Sequence, residues 1–133
     1  MEQPDRAKLL PVSEQMKAWA AALAAEIRDW PQITQKSFFG FTALYRGTKI
    51  FGLLPRTRGI FKGNAMALRF HDVNRATRAR LEKDSRIAAF DKNKMRWFSF
   101  ELSCDADLHD ALDCLGLAYE AAKSGKPARS PQN

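Results

Sequence analysis

The residues with the most chemical potential sit together in Pro55-Arg56-Thr57-Arg58-Gly59-Ile60-Phe61-Lys62-Gly63-Asn64. Arg56, Arg58 and Lys62 supply cations that could follow a phosphate backbone, Gly59 and Gly63 punctuate the run, and Phe61 offers a ring on which a base can stack. Arg75 and Arg78, with Arg80 and Lys83, continue the positive charge along the segment that follows. This combination points to a polyanionic partner, nucleic acid first. No helix-turn-helix, RNP or zinc-finger pattern accompanies it. The alternative is a solvated loop with Phe61 turned into the core.

Other chemistries are poorly provided for. Gly40, Gly47, Gly52, Gly59 and Gly63 fit neither of the glycine patterns that cradle phosphates, and there is no GxSxG elbow. The soft metal ligands are His71, Cys104, His109 and Cys114. In Cys104-x4-His109-x4-Cys114 successive side chains on a helix diverge by ~140°, which is not the spacing of paired zinc ligands. No metal or other cofactor is expected. Asp105, Asp107, Asp110 and Asp113 crowd one segment, but acid–base work needs burial or a like-charged neighbour. They read instead as solvated groups that suit the positive end of a helix. His109 reads as exposed and His71 as a turn or capping residue. No catalytic residue is assigned, and the chain reads as non-enzymatic. Cys104 and Cys114 on one helix would be about 15 Å apart, beyond disulfide reach. Two unpaired thiols fit a reducing compartment.

The 133 residues carry 22 Lys+Arg against 15 Asp+Glu, a net charge of +7. The excess is segregated: residues 31–96 hold 15 basic and 4 acidic groups, net +11, while residues 97–120 hold 6 acidic and no basic ones, net −6. Two such blocks can give a dipolar surface that attracts polyanions, or can neutralise one another across the fold. With 45% apolar and 28% charged residues the composition is globular, and a chain of this length can bury one core without staples. The longest uncharged apolar stretch, Ala18–Ala25, is far short of the ~18 residues of a membrane helix. Met1–Pro11 carries Glu2, Asp5, Arg6 and Lys8 and no apolar leader. A cytoplasmic location without a membrane partner is expected.

The elements that must position these groups follow from periodicity. Met16, Trp19, Ala20, Leu23, Ile27 and Trp30 form one helical stripe after the N-cap Ser13, and Pro31 stops it, which predicts a helix over 13–29. Strands are predicted over Ile33–Phe39, Thr42–Tyr45, Lys49–Leu54 and Ala65–Phe70, with a glycine hairpin at Arg46-Gly47-Thr48. Asp72 is placed to cap a helix over Val73–Lys83. Ile87–Phe90 and Trp97–Leu102 form a second hairpin, in which Phe98, Phe100 and Leu102 give one apolar face. Ser103 or Asp105 is placed to cap a last helix carrying Leu108, Ala111, Leu112, Leu115, Ala118, Tyr119 and Ala122 on its buried side. The order α-β-β-β-β-α-β-β-α predicts an α+β two-layer sandwich, an antiparallel sheet covered by helices. It forms a single domain over 13–123 between an N-terminal tail, 1–12, and a C-terminal tail, 124–133.

Phe38-Phe39-Gly40 resembles the Met-Phe-Gly that ends the first strand of TfoX N-terminal-like domains, and Ala43–Leu54 is similar to their glycine-turn hairpin. The element order, with Arg96-Trp97 before the last strand, also resembles YjbR (MmcQ)-like domains. The resemblance spans about residues 13–123. It implies a small two-layer domain with an antiparallel sheet and, as in the competence regulators, a role in transcriptional activation through partners. It implies no catalytic residues.

The expected function is thus a non-enzymatic binding module that engages a protein or nucleic-acid partner through Arg56, Arg58, Phe61, Lys62, Arg75 and Arg78. The alternative is a small-molecule or enzymatic pocket between sheet and helices, lined by Tyr45, Phe51 and Trp97.

Overall fold

The helices cover the face of the sheet on which the larger apolar side chains of the strands converge. The computed structural model describes residues 10–59, 63–91 and 96–123. Its elements run β1 (Leu10–Pro11), α1 (Glu14–Ile27), β2 (Ile33–Phe38), β3 (Phe41–Arg46), β4 (Lys49–Pro55), β5 (Arg58–Gly59), β6 (Ala65–Arg69), α2 (Arg75–Lys83), β7 (Ile87–Ala89), β8 (Trp97–Glu101) and α3 (Asp107–Ala121). Six strands form one antiparallel sheet in the spatial order β2-β3-β4-β6-β8-β7. The buried stripes of α1 and α3 and Leu81 of α2 join one core cluster against it. The fold is the α+β sandwich that the element order predicts.

Register identifies the covered face. Leu44, Gly52, Leu68 and Phe98 lie opposite one another across β3, β4, β6 and β8. A Cβ on Gly52 would stand 3.1 Å from Leu115 Cδ2, so this row points at α3, and glycine is what lets the helix settle so close. Phe98, Phe100 and Leu102 are buried as their alternation predicts. Ser13 caps α1, its Oγ accepting from the Met16 amide at 3.0 Å. Trp19 Nε1 donates to Asp105 at 2.7 Å, and Tyr119 Oη donates to the Pro31 carbonyl at 2.8 Å. These two bonds tie α1 and the turn after it to α3 and the segment that leads into it.

Several local expectations change. Leu10–Pro11 pairs with Arg58–Gly59, so neither the 1–12 stretch nor the Pro55–Asn64 run is wholly irregular. Asn74, not Asp72, caps α2: it is the extended residue just before the first turn, and its Oδ1 accepts from the Thr77 amide at 2.8 Å. Neither Ser103 nor Asp105 caps α3. Asp105 is taken by Trp19, and Asp107 reaches back from the first turn to accept from the amides of Ser103 and Cys104 at 2.7 and 3.3 Å. Phe61 and Lys62, most of the turn after Asp91, and the 124–133 tail lie outside the described residues.

The β2–β3 turn stores strain. Gly40 has φ +88°, and a Cβ there would fall 2.6 Å from Arg58 Cγ. Its carbonyl accepts from the amides of Arg56, Thr57 and Arg58 at 2.9, 2.8 and 3.2 Å. Phe39, just before it, has φ +47°, a region that costs a residue with a Cβ roughly 1–2 kcal/mol. Its ring is nonetheless 77% exposed. Phe39→Gly relieves the strain and gives up an edge contact to Phe38 at 4.9 Å, with part of the gain offset by the freer unfolded chain. The variant is expected to match or exceed the parent in urea unfolding, by up to about 1 kcal/mol. A loss of that size would mean that the ring is packed.

Candidate functional site

The residues singled out from sequence fall into separate places. Arg56 follows β4, its guanidinium donating to Ser37 Oγ at 3.1 Å, and Arg58 lies in β5. Arg75 and Arg78 lie on α2, which leaves the sheet after β6. Because β4 and β6 are antiparallel, the two pairs sit at opposite ends of the strands, about 20 Å apart along the sheet. They do not form one patch.

The three aromatics of the alternative pocket do not meet either. Phe51 is completely buried among the helices, its ring 5.6 Å from that of Tyr119. A register shift between Leu44 and Tyr45 gives β4 an extra residue against β3. Two neighbours in one strand, Phe51 and Gly52, thereby both reach the core. Tyr45 and Trp97 stand on the other face, each next to a core residue in its strand, so no pocket is shared.

That other face, free of helices among the described residues, holds the most suggestive arrangement. Lys36, Ala43, Leu53, Ala67, Ser99 and Ala88 form one row across all six strands, a span of about 24 Å. Four of the six are small, and Ala43 and Ala67 at the centre of the row are buried. Beside it stand Tyr45, Arg69 and Trp97, with Lys36 Nζ 5.3 Å from the Tyr45 ring centroid and the Arg69 guanidinium 5.8 Å from that of Trp97. Arg69 Nε is buried without a hydrogen-bond acceptor, whereas buried polar atoms are ordinarily satisfied. Asp91 steadies this end of β8, its carboxylate accepting from the amides of Arg96 and Trp97 at 3.0 and 3.2 Å.

The electrostatics of the same end are positive. His71, half-buried, donates from Nε2 to the Ile50 carbonyl at 2.7 Å. Burial lowers its pKa from the ordinary 6.5, the Ile50 bond pulls the other way, and the charges of Arg69, Lys49 and Arg96 lower it further. Three cations therefore act at one end of the sheet, where α2 also begins. Glu101, on the helix-free face, lies opposite Ala65 at the far end.

The acidic block is not the solvated series expected. Asp107 and Asp110 accept from Arg86 at 2.8 and 3.1 Å, and Asp84 takes a two-pronged bond from the same guanidinium at 2.9 and 2.7 Å. One arginine of the basic block thus absorbs two carboxylates of the acidic one. It leaves Lys36, Arg69 and Arg96 without an ion pair among the described residues. Asp113 meets His109 at 3.6 Å. His109, Asp110 and Asp113 offer ligand atoms within 4.8 Å of one another, but Asp110 is already shared with Arg86. Both cysteines are free; burial pushes the Cys114 thiol up to about 11, which makes it unreactive, while Cys104 is exposed.

Lys36, Arg69 and Arg96 were not singled out from sequence. A signal for two of them was present: Lys36 and Arg69 alternate with core-facing residues in their strands, so strand parity alone puts both on the uncovered side. Compared with known proteins, the chain matches no family model, no curated protein and no solved structure.

Proposed function

We propose that this domain is a non-enzymatic binding module that takes up single-stranded nucleic acid on the helix-free face of its sheet. The observation that carries the reading is Arg69, a half-exposed cation 5.8 Å from the ring centroid of Trp97 that makes no ion pair among the described residues. A phosphate oxygen would pair with the accessible part of its side chain. Tyr45 and Trp97 lie on β3 and β8, three strand spacings or about 14 Å apart, which leaves room for separate bases on the two rings. Stacking on sheet aromatics suits single strands, whose bases are free to splay. Lys36 and Arg96, with Lys49 at the strand end, would meet the backbone. A regulatory role of the kind implied by the TfoX-like resemblance would draw on such a surface.

Titrating labelled oligothymidine and a duplex of equal length with the full chain tests this. The single strand is expected to bind more tightly. With three or four phosphates neutralised, the log–log slope of affinity on salt should be about −2 to −3. No binding of either probe at tens of micromolar protein in low salt would overturn it.

A further inference from the structure

Phe38 and Phe39 take no part in that surface's chemistry, yet they are the most anomalous side chains in the molecule. They are 44% and 77% exposed and touch each other edge to face at 4.9 Å. The Gly40 carbonyl, bound by three amides, locks the turn beneath them. Left-handed strain at an exposed phenylalanine brings the monomer no burial in return, and strain of this sort persists where function uses it. The rigidity also means that little ordering cost remains when the rings dock. Lys36, Arg56 and Arg58 are exposed close to the turn and make no ion pair among the described residues. The complement of such a tip is an apolar slot with carboxylates at its rim.

The chain carries one. Between α1 and α3, Ala22, Leu23, Leu108 and Leu112 line a slot of about 350 Å³ with Glu26 and His109, and no lysine or arginine among the described residues lines it. Asp113, the partner of His109, adds a second carboxylate. A cavity of ~150 Å³ already admits a benzene ring, so a phenylalanine side chain fits. The hydrogen bonds that pin Gly40 to Arg56–Arg58 prevent the tip from swinging into its own slot.

We infer that the Phe38–Phe39 turn of one copy docks in the α1–α3 slot of a second copy, basic rim against acidic rim. The contact is heterologous: any open assembly keeps one free tip and one free slot at its ends, so association proceeds head to tail. This inference does not depend on the nucleic-acid reading. Sedimentation of the full chain without nucleic acid tests it. The average mass of the wild type is expected to rise with concentration to at least twice the 15.1 kDa of one chain, and added salt should lower it. Phe39→Gly removes the tip; Ala22→Arg, at an exposed helical position, plugs the slot with a repelling charge. Each variant alone is expected to stay at the one-chain mass. Their equal mixture should form a two-chain species and go no further, because one supplies only a slot and the other only a tip. A wild type that stays at one-chain mass throughout, a Phe39→Gly variant that assembles like the parent, or a mixture that fails to pair would each overturn the inference.

Discussion

Arg86→Ala is expected to cost the domain about 3 kcal/mol of stability at neutral pH, the size associated with leaving partly buried charges uncompensated. Arg86 joins three carboxylates on two elements through one guanidinium: Asp84 at the end of α2, and Asp107 and Asp110 on α3. The guanidinium also lies 4.9 Å from the ring centroid of Phe100. Its side chain is 29% exposed and that of Asp107 only 14%, so water cannot fully take its place. Asp107 is committed twice, since it also accepts from the Ser103 and Cys104 amides that shape the entry to α3.

The same network predicts a pH signature. The side-chain bond from Arg86 holds the Asp84 carboxyl below its ordinary 3.8, and the Ser103 amide, with Arg86, does the same for Asp107. Carboxylates with lowered folded-state pKa values contribute stability that is complete above the unfolded value and lost as pH falls through the folded one. The wild type should therefore lose stability as pH drops below about 4, and Arg86→Ala should lose less over that range. The gap between the two narrows on acidification. Urea unfolding at neutral pH and at low pH measures both. A neutral-pH loss under about 1 kcal/mol would place the network among ordinary surface pairs.

Removing the proposed binding surface should have the next largest effect. Trp97→Ala is expected to weaken binding of a single strand about tenfold or more, since stacking on one aromatic contributes roughly 1–3 kcal/mol. Trp97→Phe should retain much of that affinity, because a ring remains. Arg69→Glu removes a phosphate contact and introduces repulsion; it should weaken binding by a similar factor and make the salt slope shallower by about one unit. Arg28→Glu changes the net charge equally but sits at the end of α1, on the helix side. It should shift affinity little. Equal losses for Arg28→Glu and Arg69→Glu would mean that net charge, not this face, governs binding.

Much of the scaffold was legible in the sequence because local rules dominate there. The Ser13 cap and the stripe from Met16 to Ile27 follow helical spacing, and Phe98, Phe100 and Leu102 follow strand parity. Features that depend on long-range pairing were not. The insertion of β8 between β6 and β7 sets Trp97 beside Arg69, and neither residue's neighbourhood in sequence hints at the other. Phe51 and Tyr45 read as pocket partners, but the register shift at Leu44/Tyr45 leaves Phe51 and Gly52 both on the core side, away from Tyr45. The carboxylates of α3 read as solvated because their counterion, Arg86, lies more than twenty residues away. The basic loop drew attention by charge density, while the cations on the uncovered face are spread over β2, β6 and the approach to β8.

A nitrogen-15 NMR titration of the labelled chain with oligothymidine at low salt locates the binding surface residue by residue. The amides of Lys36, Tyr45, Arg69, Trp97 and Ser99, and the Trp97 indole, are expected to move together with a single affinity. Ala22 and Asp113, on the helix layer, should stay in place. Shifts gathered around Arg56 and Arg58 or on the helices, or no shifts at all, would contradict the proposed surface.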